Sequence, residues 1–475
     1  MRNINPISLV LLISCLASVL HGQNTQKPNF IIYMGDDLGY ESFGCAGNDF
    51  AKTPHIDKLA SDGVVFDRLY GTVSQCSPIR QELFTGLYPH NNGILANAVK
   101  NLKPGLKDIG DYLAPLGYAL SVSGKVGCKI GKNFKKIKGV QGGANSFEDQ
   151  FDLSNIKAFI QESKQTEKPF CVYIGSVHGH HPWNLGTPQK NGAERVPVPD
   201  HYVDTPVTRE SLNKHAAEVT LFDEQFGEIV SMANELEITD NTILIVLSEH
   251  GIAMPRAKWS VYDKGNRSLG VIYWKGKIEA GRKNAIAQYC DILPTLVDYA
   301  GGKVPEGIDG FSLRPVIEGQ SNIHRDFAYL ANVHPTRQWA IVQDEWKLVW
   351  SPFQEDEHLY SNFTNKSKES SQKESYGGYT KMFAHAWSEW VQTAEEDSSA
   401  KAKIQHVLHP KEVELYKIDK DYNESKNLAD NPEHSNLIEE MMGKLKSIVG
   451  NPSDTPARSN KKDKKLKKSK KKKKA

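Results

Sequence analysis

Over its first two thirds, the chain alternates short apolar runs with amphipathic helical patterns. Four runs have the length and residue types of buried strands, at residues 29–34, 118–122, 169–175 and 242–247, and shorter ones lie at 64–66 and 269–273. Apolar residues at spacings of three and four predict helices between them, at residues 54–61, 76–85, 106–116, 151–163 and 213–236. Strands that alternate with helices predict an α/β fold with a mostly parallel central sheet flanked by helices.

The pattern changes near residue 323. Residues 339–342 and 347–350 predict an antiparallel hairpin, residues 412–416 a strand and residues 434–449 an amphipathic helix, whereas residues 354–399 are polar and irregular. We therefore predict a large domain at residues 26–320 and a smaller α+β domain with a short antiparallel sheet at residues 323–450. Residues 459–475 are of low complexity and are predicted to be disordered.

Polar residues follow each of the four long apolar runs. They are Asp36 and Asp37, Lys125, the segment 178–181, and Glu249 with His250. Because ligands of open α/β sheets bind beyond the carboxyl ends of the strands, these residues are predicted to meet at one rim. Carboxylates from two strands would suit a hard divalent cation there, although acids in turns are common without one.

The segment 71–90, GTVSQCSPIRQELFTGLYPH, is predicted to place Cys76 at the start of a helix that stops at Gly86. Unpaired backbone N–H groups at a helix start favour an anion, and Arg80 lies one turn further on. From the residues alone, Cys76 is either a nucleophile with a lowered pKa or a buried cysteine on a capped helix.

Composition is that of a soluble globular enzyme, with 39% hydrophobic and 24% charged residues. The net charge of +2 hides an asymmetry, because residues 461–474 hold 11 of the 59 basic residues and one acid, which leaves 48 basic against 56 acidic residues elsewhere, a net of −8. The basic segment could bind anionic polysaccharide or a membrane surface by charge. With export predicted, we expect no nucleic-acid partner.

Residues 1–22 have the pattern of a secretory signal peptide, with Arg2 before an apolar run at residues 7–20. We predict cleavage near Gly22 and a location in the periplasm or the medium; lipoprotein anchoring at Cys15 is the alternative. No later stretch is long and apolar enough to predict a transmembrane span. The six cysteines show no CxxC spacing, so we expect no zinc site, and their pairing stays open.

Cys-x-Pro-x-Arg followed by Leu-x-Thr-Gly and Pro-His resembles the signature of type I sulfatases, of the alkaline phosphatase superfamily. The segments NFIIYMGDDLGY, TPHIDKLASDGVVFDRLY, GYALSVSGK, HGHHPW and SEHG resemble other segments of that family. The resemblance implies that a formylglycine-generating or anaerobic sulfatase-maturing enzyme oxidises Cys76 to formylglycine (3-oxoalanine), whose hydrate is the nucleophile.

The resemblance also implies roles for individual residues. The expected ligands of one Ca²⁺ ion are Asp36, Asp37, Cys76, Glu249 and His250. The expected catalytic residues are Cys76, Arg80, Lys125, His180 and Lys258, with the arginine and the lysines on the sulfate and His180 as the acid for the leaving alcohol. Two departures stand out: Glu249 replaces an aspartate, and Gly127 replaces a histidine thought to assist sulfate release, a role that His178 or His181 could take over.

These features predict an exported bacterial sulfatase that acts on a sulfated polysaccharide or its oligosaccharides, of ulvan, carrageenan or glycosaminoglycan type. The CSPIR segment is also similar to that of heparan N-sulfatases. Substrate contacts are expected from His178, Arg256, His334 and Arg337. Two alternatives stay open: a phosphonate or phosphate monoester hydrolase of the same superfamily, and a glycan-binding pseudo-sulfatase.

Overall fold

The computed structural model describes residues 26–97, 101–140, 150–334, 336–354 and 379–454. The predicted signal peptide, Cys15 and the Lys-rich segment 459–475 lie outside the described residues. Within the described residues, no helix is long and apolar enough to cross a membrane. The cysteines described are unpaired: Cys45, Cys76, Cys128, Cys171 and Cys290.

The main sheet has eight strands in the order β4-β3-β5-β1-β6-β7-β2-β8. Strand β7 runs antiparallel to both of its neighbours, and the other pairs are parallel, so the predicted mostly parallel sheet is confirmed. Its strands are β1 Asn29–Met34, β2 Val64–Tyr70, β3 Ala119–Gly124, β4 Lys135–Lys136, β5 Phe170–Gly175, β6 Thr242–Leu247, β7 Arg267–Tyr273 and β8 Gly281–Gln288.

A second, antiparallel sheet has the order β12-β11-β10-β9. Its strands are β9 Ala328–Asn332, β10 Gln338–Gln343, β11 Trp346–Trp350 and β12 Val413–Lys417. The predicted hairpin is the β10–β11 pair, in which Trp339 lies opposite Trp350. The short antiparallel sheet expected in the last third of the chain is therefore confirmed.

Helices cover both faces of the main sheet and one face of the second. They are α1 Pro54–Asp62, α2 Cys76–Thr85, α3 Pro89–Asn92, α4 Ile109–Leu113, α5 Leu153–Gln165, α6 Gly192–Arg195, α7 Pro206–Glu235, α8 Asp263–Asn266, α9 Ile292–Tyr299, α10 Arg314–Ile317, α11 Tyr379–Thr393, α12 Ser398–Leu408 and α13 Ser435–Val449. Single 3₁₀ turns lie at Tyr40–Ser42, Gly44–Ala46, Ala114–Leu116, Thr239–Asn241, Tyr289–Asp291, Pro432–His434 and Pro452–Asp454.

The alternation of side chains along β1 explains the two layers of the core. Phe30 and Ile32 face a layer that includes Leu83 of the Cys76 helix α2. Ile31 and Tyr33 face the opposite layer, which the long helix α7 covers. The helix that carries Cys76 is thus packed firmly against the centre of the sheet.

Three helix predictions differ from the structure. The helix α7 begins at Pro206 rather than residue 213, because Thr205 caps it and proline is favourable at the first helical position. The helix expected at residues 106–116 ends at Leu113 and continues as a 3₁₀ turn around Pro115, which lacks the N–H for a regular bond.

The third difference concerns residues 354–399, which are not irregular throughout. The helices α11 and α12 lie in or overlap this range, because the apolar residues of α11 pack into a separate core cluster. In that cluster Trp387 and Trp390, three residues apart, are almost completely buried. Strands β8 and β9 were not predicted; the first half of β8, GRKN, is polar and exposed and has no strand pattern.

Candidate active site

The four strands that end in polar residues are neighbours in the sheet, in the order β3-β5-β1-β6. Their carboxyl ends therefore open onto one rim, and the start of α2 joins them there. We call the charged and polar side chains at this point, which are buried except for the half-buried His180, the rim cluster: Asp36, Asp37, Cys76, Arg80, Lys125, His180, Glu249, His250 and Lys258. The predicted convergence of these residues is present in the structure.

Cys76 is the first residue of α2 and lies at the centre of the rim cluster. Its Sγ is 3.4 Å from Asp36 Oδ1, 3.7 Å from Asp37 Oδ1 and 3.6 Å from Lys258 Nζ. Burial and then Glu249 raise the pKa of the thiol well above its usual range, despite Lys258. Burial at this position therefore favours the neutral thiol of the unmodified residue over a low-pKa thiolate.

Two lysines reach the cluster from opposite sides of the sheet centre. Lys125 Nζ pairs with Asp36 Oδ2, and Lys258 Nζ lies 2.5 Å from Asp37 Oδ1. Burial alone would lower the pKa of Lys258, but Asp37 outweighs it and raises that pKa. Lys258 is therefore held as a cation beside the cysteine, and Lys125 is held at the same place by its ion pair with Asp36, so an anion could bind between them.

Arg80 is completely buried and joins three elements of the rim. Its Nε is 2.5 Å from Glu249 Oε1, and its two Nη atoms donate to the carbonyl oxygens of Lys125 and Gly35 at 2.8 and 2.7 Å. Glu249 has a φ of +94°, an unusual conformation for a residue with a side chain. Arg80 therefore fixes Glu249, and its predicted contact with sulfate stays a prediction.

Gly127 has a φ of +62° and leaves the space that Arg80 occupies. A Cβ atom at this position would lie 2.7 Å from Arg80 Cδ, which is closer than carbon atoms approach without a shift. A histidine at residue 127 would therefore displace the guanidinium that holds Glu249. The glycine that replaces the family's histidine at residue 127 therefore fits the packing of Arg80 at this site.

His250 provides a direct test of whether a cation fits the cluster. Burial lowers the pKa of His250 to about 3, so its ring is neutral, and Nδ1 lies 3.0 Å from the Gly251 carbonyl. With Nδ1 as the donor, Nε2 turns a lone pair toward Asp37 and Glu249 oxygens at 3.6 and 3.3 Å and has no hydrogen-bond donor. Asp37 Oδ2 is also without a partner. Facing lone pairs are the arrangement that a divalent cation relieves.

The groups that could hold such a cation are overlapping sets of four. Ligand atoms of Asp37, Cys76, Glu249 and His250 lie within 4.8 Å of one another, as do those of Asp36, Asp37, Cys76 and His180. These are the predicted metal ligands, with His180 as an addition. The donor set therefore fits a divalent cation; whether it is the predicted Ca²⁺ stays a prediction.

The neighbouring histidines of the β5 loop differ in what they contact. His180 Nδ1 lies 2.7 Å from the His181 carbonyl, so Nε2 of the neutral ring carries the lone pair. Burial and then Lys125 lower the pKa of His180, which favours that neutral ring. His178 Nδ1 lies 2.9 Å from Glu218 Oε2 on α7, so this histidine is held in a buried pair rather than in the rim cluster.

The other residues expected to contact substrate lie outside the rim cluster. Arg256 is buried, donates to the Glu424 carbonyl at 2.8 Å and stacks on the Tyr262 ring. Arg337 donates to the Pro452 carbonyl at 2.9 Å, and the His334 carbonyl accepts from Gln75 at 2.7 Å. Their predicted contacts with substrate remain predictions.

Two positioning residues had no recognisable pattern in the sequence. Gln75, just before Cys76, donates at 2.9 Å to Asn332 of β9, so the second sheet supports the start of α2. His215 of α7 lies 3.1 Å from the Asp37 carbonyl and supports that residue from behind. Both contacts join positions that are distant in sequence, and no local pattern could have revealed them.

Comparison with known proteins points in one direction. The family described as Sulfatase matches residues 28–302, and the family described as N-sulphoglucosamine sulphohydrolase, C-terminal, matches residues 249–396. An ulvan-active sulfatase of Formosa agariphila is 26% identical over 437 residues, covering 88% of this chain and 79% of that protein. Human arylsulfatase A is 24% identical over 399 residues, covering 70% and 74%.

Solved structures share the fold. A complex with the substrate D-glucosamine-2-N,6-O-disulfate has a TM-score of 0.63 at 17% identity, covering 90% of this chain and all of the other. A phosphonate monoester hydrolase from Silicibacter pomeroyi has a TM-score of 0.63 at 14% identity, covering 89% and 95%. At such identities, the two structures support the architecture alone.

Proposed function

The chain belongs to the sulfatase family, and from that premise we propose that it hydrolyses sulfate esters of a sulfated glycan by means of a formylglycine made from Cys76. The observation that carries the proposal is the position of Cys76, at a helix start between two buried lysines and a group of metal-type ligands. Hydrolysis of a sulfate ester requires cations that bind the sulfate oxygens and a nucleophile next to the sulfur atom.

The residues of the chain have separable roles in this proposal. Asp36, Asp37, Glu249 and His250 would hold the divalent cation, which when bound offsets negative charge on the sulfate and on the attacking oxygen. Lys125 and Lys258 bind the sulfate oxygens and fix the direction of attack. Arg80 positions Glu249 through the 2.5 Å contact.

Oxidised Cys76 would supply the attacking hydroxyl group, and His180 handles the proton of the leaving alcohol. In the protein without substrate, burial and then Lys125 lower the pKa of His180, so the ring starts neutral. A bound sulfate neutralises the field of Lys125 and adds negative charge beside the ring, which raises the pKa of His180. The ring can then carry the proton that the departing oxygen requires.

The choice of a glycan as substrate is supported by the relatives. The Formosa agariphila protein is described as ulvan-active, and the similar solved structure holds a disulfated glucosamine. Residues 1–22 favour export, to the compartment in which a cell meets polysaccharides. We therefore propose a sulfated polysaccharide or its oligosaccharides rather than a small aryl sulfate as the natural substrate.

Mass spectrometry of the peptide that spans Cys76 tests the proposed chemistry. Protein made in a host with a maturing enzyme is expected to show the aldehyde mass in place of the thiol mass. The Cys76→Ala variant is expected to lose sulfate release by at least about 10³-fold, because the nucleophile is gone. Cys171→Ala, which removes a buried thiol of β5, is the matched control and should retain activity.

Two outcomes would overturn the proposal. Sulfate release by Cys76→Ala would exclude a nucleophile derived from Cys76. An unmodified thiol together with glycan binding but no release would favour the pseudo-sulfatase alternative. Parallel assays of sulfate, phosphate and phosphonate esters distinguish the phosphonate or phosphate monoester hydrolase, for which the phosphorus esters would turn over faster.

A further inference from the structure

A row of exposed lysines follows the catalytic-site lysine Lys125, in and around the strand that ends the main sheet among the described residues. It consists of Lys129, Lys132, Lys135, Lys136 and Lys138, which we call the lysine edge. Strand β4 within it is the end strand of the sheet. The sequence holds no acid between Asp111 and Glu148, although Asp108 and Asp111 accept hydrogen bonds from Gly131 and Asn133 within this stretch.

Acids of neighbouring elements neutralise this edge only in part. Lys135 Nζ lies 3.0 Å from Glu162 of α5, but both side chains are more than half exposed, so the pair is weak. The lysine edge is therefore a region of positive potential on a protein whose residues outside 461–474 carry a net charge of −8.

The lysine edge is fixed to the helix that carries Cys76. The side chain of Gln81 exchanges two hydrogen bonds of 3.1 Å with the backbone of Lys129, and Gln81 directly follows Arg80. The Phe134 ring packs against Phe84 of the same helix at 5.6 Å. The charges at the edge therefore keep a defined position relative to the rim cluster.

The separation suits a ligand that spans both places. Lys135 pairs with Ser121 of β3. Ser121 lies four residues before Lys125, about 13 Å at roughly 3.3 Å per residue. Lys129 lies four residues after Lys125, at most about 14 Å away. These separations reach beyond the Debye length of about 10 Å at 0.1 M salt, so the edge and the site act on one polyanion together only when the chain contacts both places.

We propose that the lysine edge binds non-reacting sulfate or carboxylate groups of a polyanionic glycan chain whose reacting sulfate lies at Cys76. This inference rests on the proposed function and narrows it to chains with several acidic groups. The mostly acidic remainder of the body would repel such a chain, whereas the edge attracts it next to the site. Lysines on an end strand also prevent pairing with other strands, and a role limited to that would leave substrate use unchanged.

A triple variant, Lys132→Gln, Lys136→Gln and Lys138→Gln, tests the proposal in the full chain. It spares Lys129, whose backbone contacts α2, and Lys135, which pairs with Glu162. The matched control replaces Lys275, Lys277 and Lys303 with Gln. Lys275 and Lys277 follow β7, which runs opposite to the other strands, so they lie at the opposite rim. Both sets are exposed, and the basic segment 461–474 is the same in all proteins.

Three measurements are made on each protein: kcat/KM for a sulfated polysaccharide, kcat/KM for 4-nitrophenyl sulfate, and the salt concentration that elutes the protein from immobilised heparin. The edge variant is expected to lose about tenfold in kcat/KM for the polymer at low salt, through KM, because steering is lost. We expect this difference to vanish near 0.5 M salt. The small ester should be turned over equally by all three proteins.

The outcomes separate the inference from the proposed function. The proposed binding by the lysine edge is overturned if the edge variant and the control triple have equal kcat/KM for the polymer, or if they elute from heparin at equal salt concentrations. Either result leaves the proposed sulfatase function intact. A wild-type protein that releases no sulfate from either ester overturns the proposed function. The elution from heparin then still tests whether the lysine edge binds a polyanion. A loss on the small ester would show damage to the site and would also contradict the inference.

Discussion

Two of the buried groups of opposite charges in the described residues do different things. The rim cluster gathers acids, lysines, an arginine and histidines around Cys76. The inter-sheet cluster, which we define as Asp263, Lys347 and Glu424, joins the two sheets. In it Lys347 Nζ lies 2.9 Å from Asp263 Oδ1 and 2.8 Å from Glu424 Oε1. All three residues are almost completely buried, as are the rim acids.

The difference lies in what stands between the acids. In the inter-sheet cluster, a lysine of β11 lies between the two carboxylates and pairs with both. In the rim cluster each acid also has a cationic partner, but Asp37 Oδ2 and His250 Nε2 have no hydrogen-bond partner, and ligand atoms of Asp37, Glu249 and His250 lie within 4.8 Å of one another. Among the described residues, groups of converging metal-type ligands occur at the rim cluster alone. Burial of charge therefore marks both places, but converging lone pairs distinguish the reactive one.

The largest expected effect comes from breaking the rim cluster at Asp37. Asp37→Asn keeps the size and tolerates the φ of +54°, which asparagine adopts readily, but it removes one charge from the ligand set. We expect sulfate release to fall by at least about 10³-fold, in the range seen when a charge-stabilising group is lost. The metal-free variant should also be less stable than the metal-free wild type, because Lys258 then loses the buried carboxylate that pairs with it, so sulfate release is compared per folded molecule.

Asp62→Asn is the control for this substitution. Asp62 forms an exposed pair with Lys58 on α1, so its loss should change neither activity nor unfolding. Substantial sulfate release by Asp37→Asn would contradict the assignment of Asp37 to the metal site.

A substitution in the inter-sheet cluster should reduce the stability of the protein far more than its activity. Lys347→Met leaves Asp263 and Glu424 buried without their cation, which is expected to cost about 3–5 kcal/mol of stability. Activity per folded molecule at low temperature should fall far less than in Asp37→Asn. Thermal melting and sulfate release measured on one preparation check both expectations.

Lys417→Met on the adjacent strand β12 is the matched control for Lys347→Met. Its side chain is 37% exposed and pairs with Glu345, so its removal should leave the melting temperature nearly unchanged. The triple variant Lys347→Met, Asp263→Asn and Glu424→Gln should regain stability, because no charge is then left unpaired. A melting temperature as low as that of Lys347→Met would contradict this account.

Removal of the cation should lower the melting temperature through the rim cluster. Chelation leaves the acids of the rim cluster facing one another, so the melting temperature should fall, and Ca²⁺ should restore it. A ligand at 100 times its dissociation constant stabilises the folded state by about 2.7 kcal/mol. Asp37→Asn should show a much smaller response to Ca²⁺, whereas Lys347→Met should respond as the wild type does. Restoration by Mg²⁺ but not by Ca²⁺ would contradict the predicted ion.

The sequence predicted the rim cluster well because each of its parts is local. A buried apolar strand that ends in Asp36-Asp37 or Glu249-His250 can be recognised without knowledge of its neighbours. The rule that parallel strands present their carboxyl ends on one rim then brings the parts together. The order of the four strands in the sheet was not needed for this prediction.

The inter-sheet cluster could not be predicted in this way. Lys347 lies in an apolar strand and is separated from Asp263 by 84 residues. Nothing near it in sequence indicates a buried lysine, since its partners come from α8 and from the loop after β12. The same holds for the packing of Gly127 against Arg80, which appears only when α2 and the β3 loop are placed side by side.

The smallest expected effect is a change in the pH dependence of stability at Glu424. Burial, only partly offset by Lys347, raises the pKa of Glu424 from 4.5 to about 7. Between these values the folded protein holds a proton that the unfolded chain has lost, so stability from this group falls as pH rises from about 4.5 to 7. Asp263, whose pKa is lowered, shares Lys347, so we expect the net change to be smaller than the roughly 3 kcal/mol of an independent group. Glu424→Gln should flatten this slope, and the exposed control Glu412→Gln should not. Melting curves from pH 5 to 8 compare the two variants with the wild type. Equal slopes in all three proteins would show that Lys347 keeps Glu424 ionised throughout.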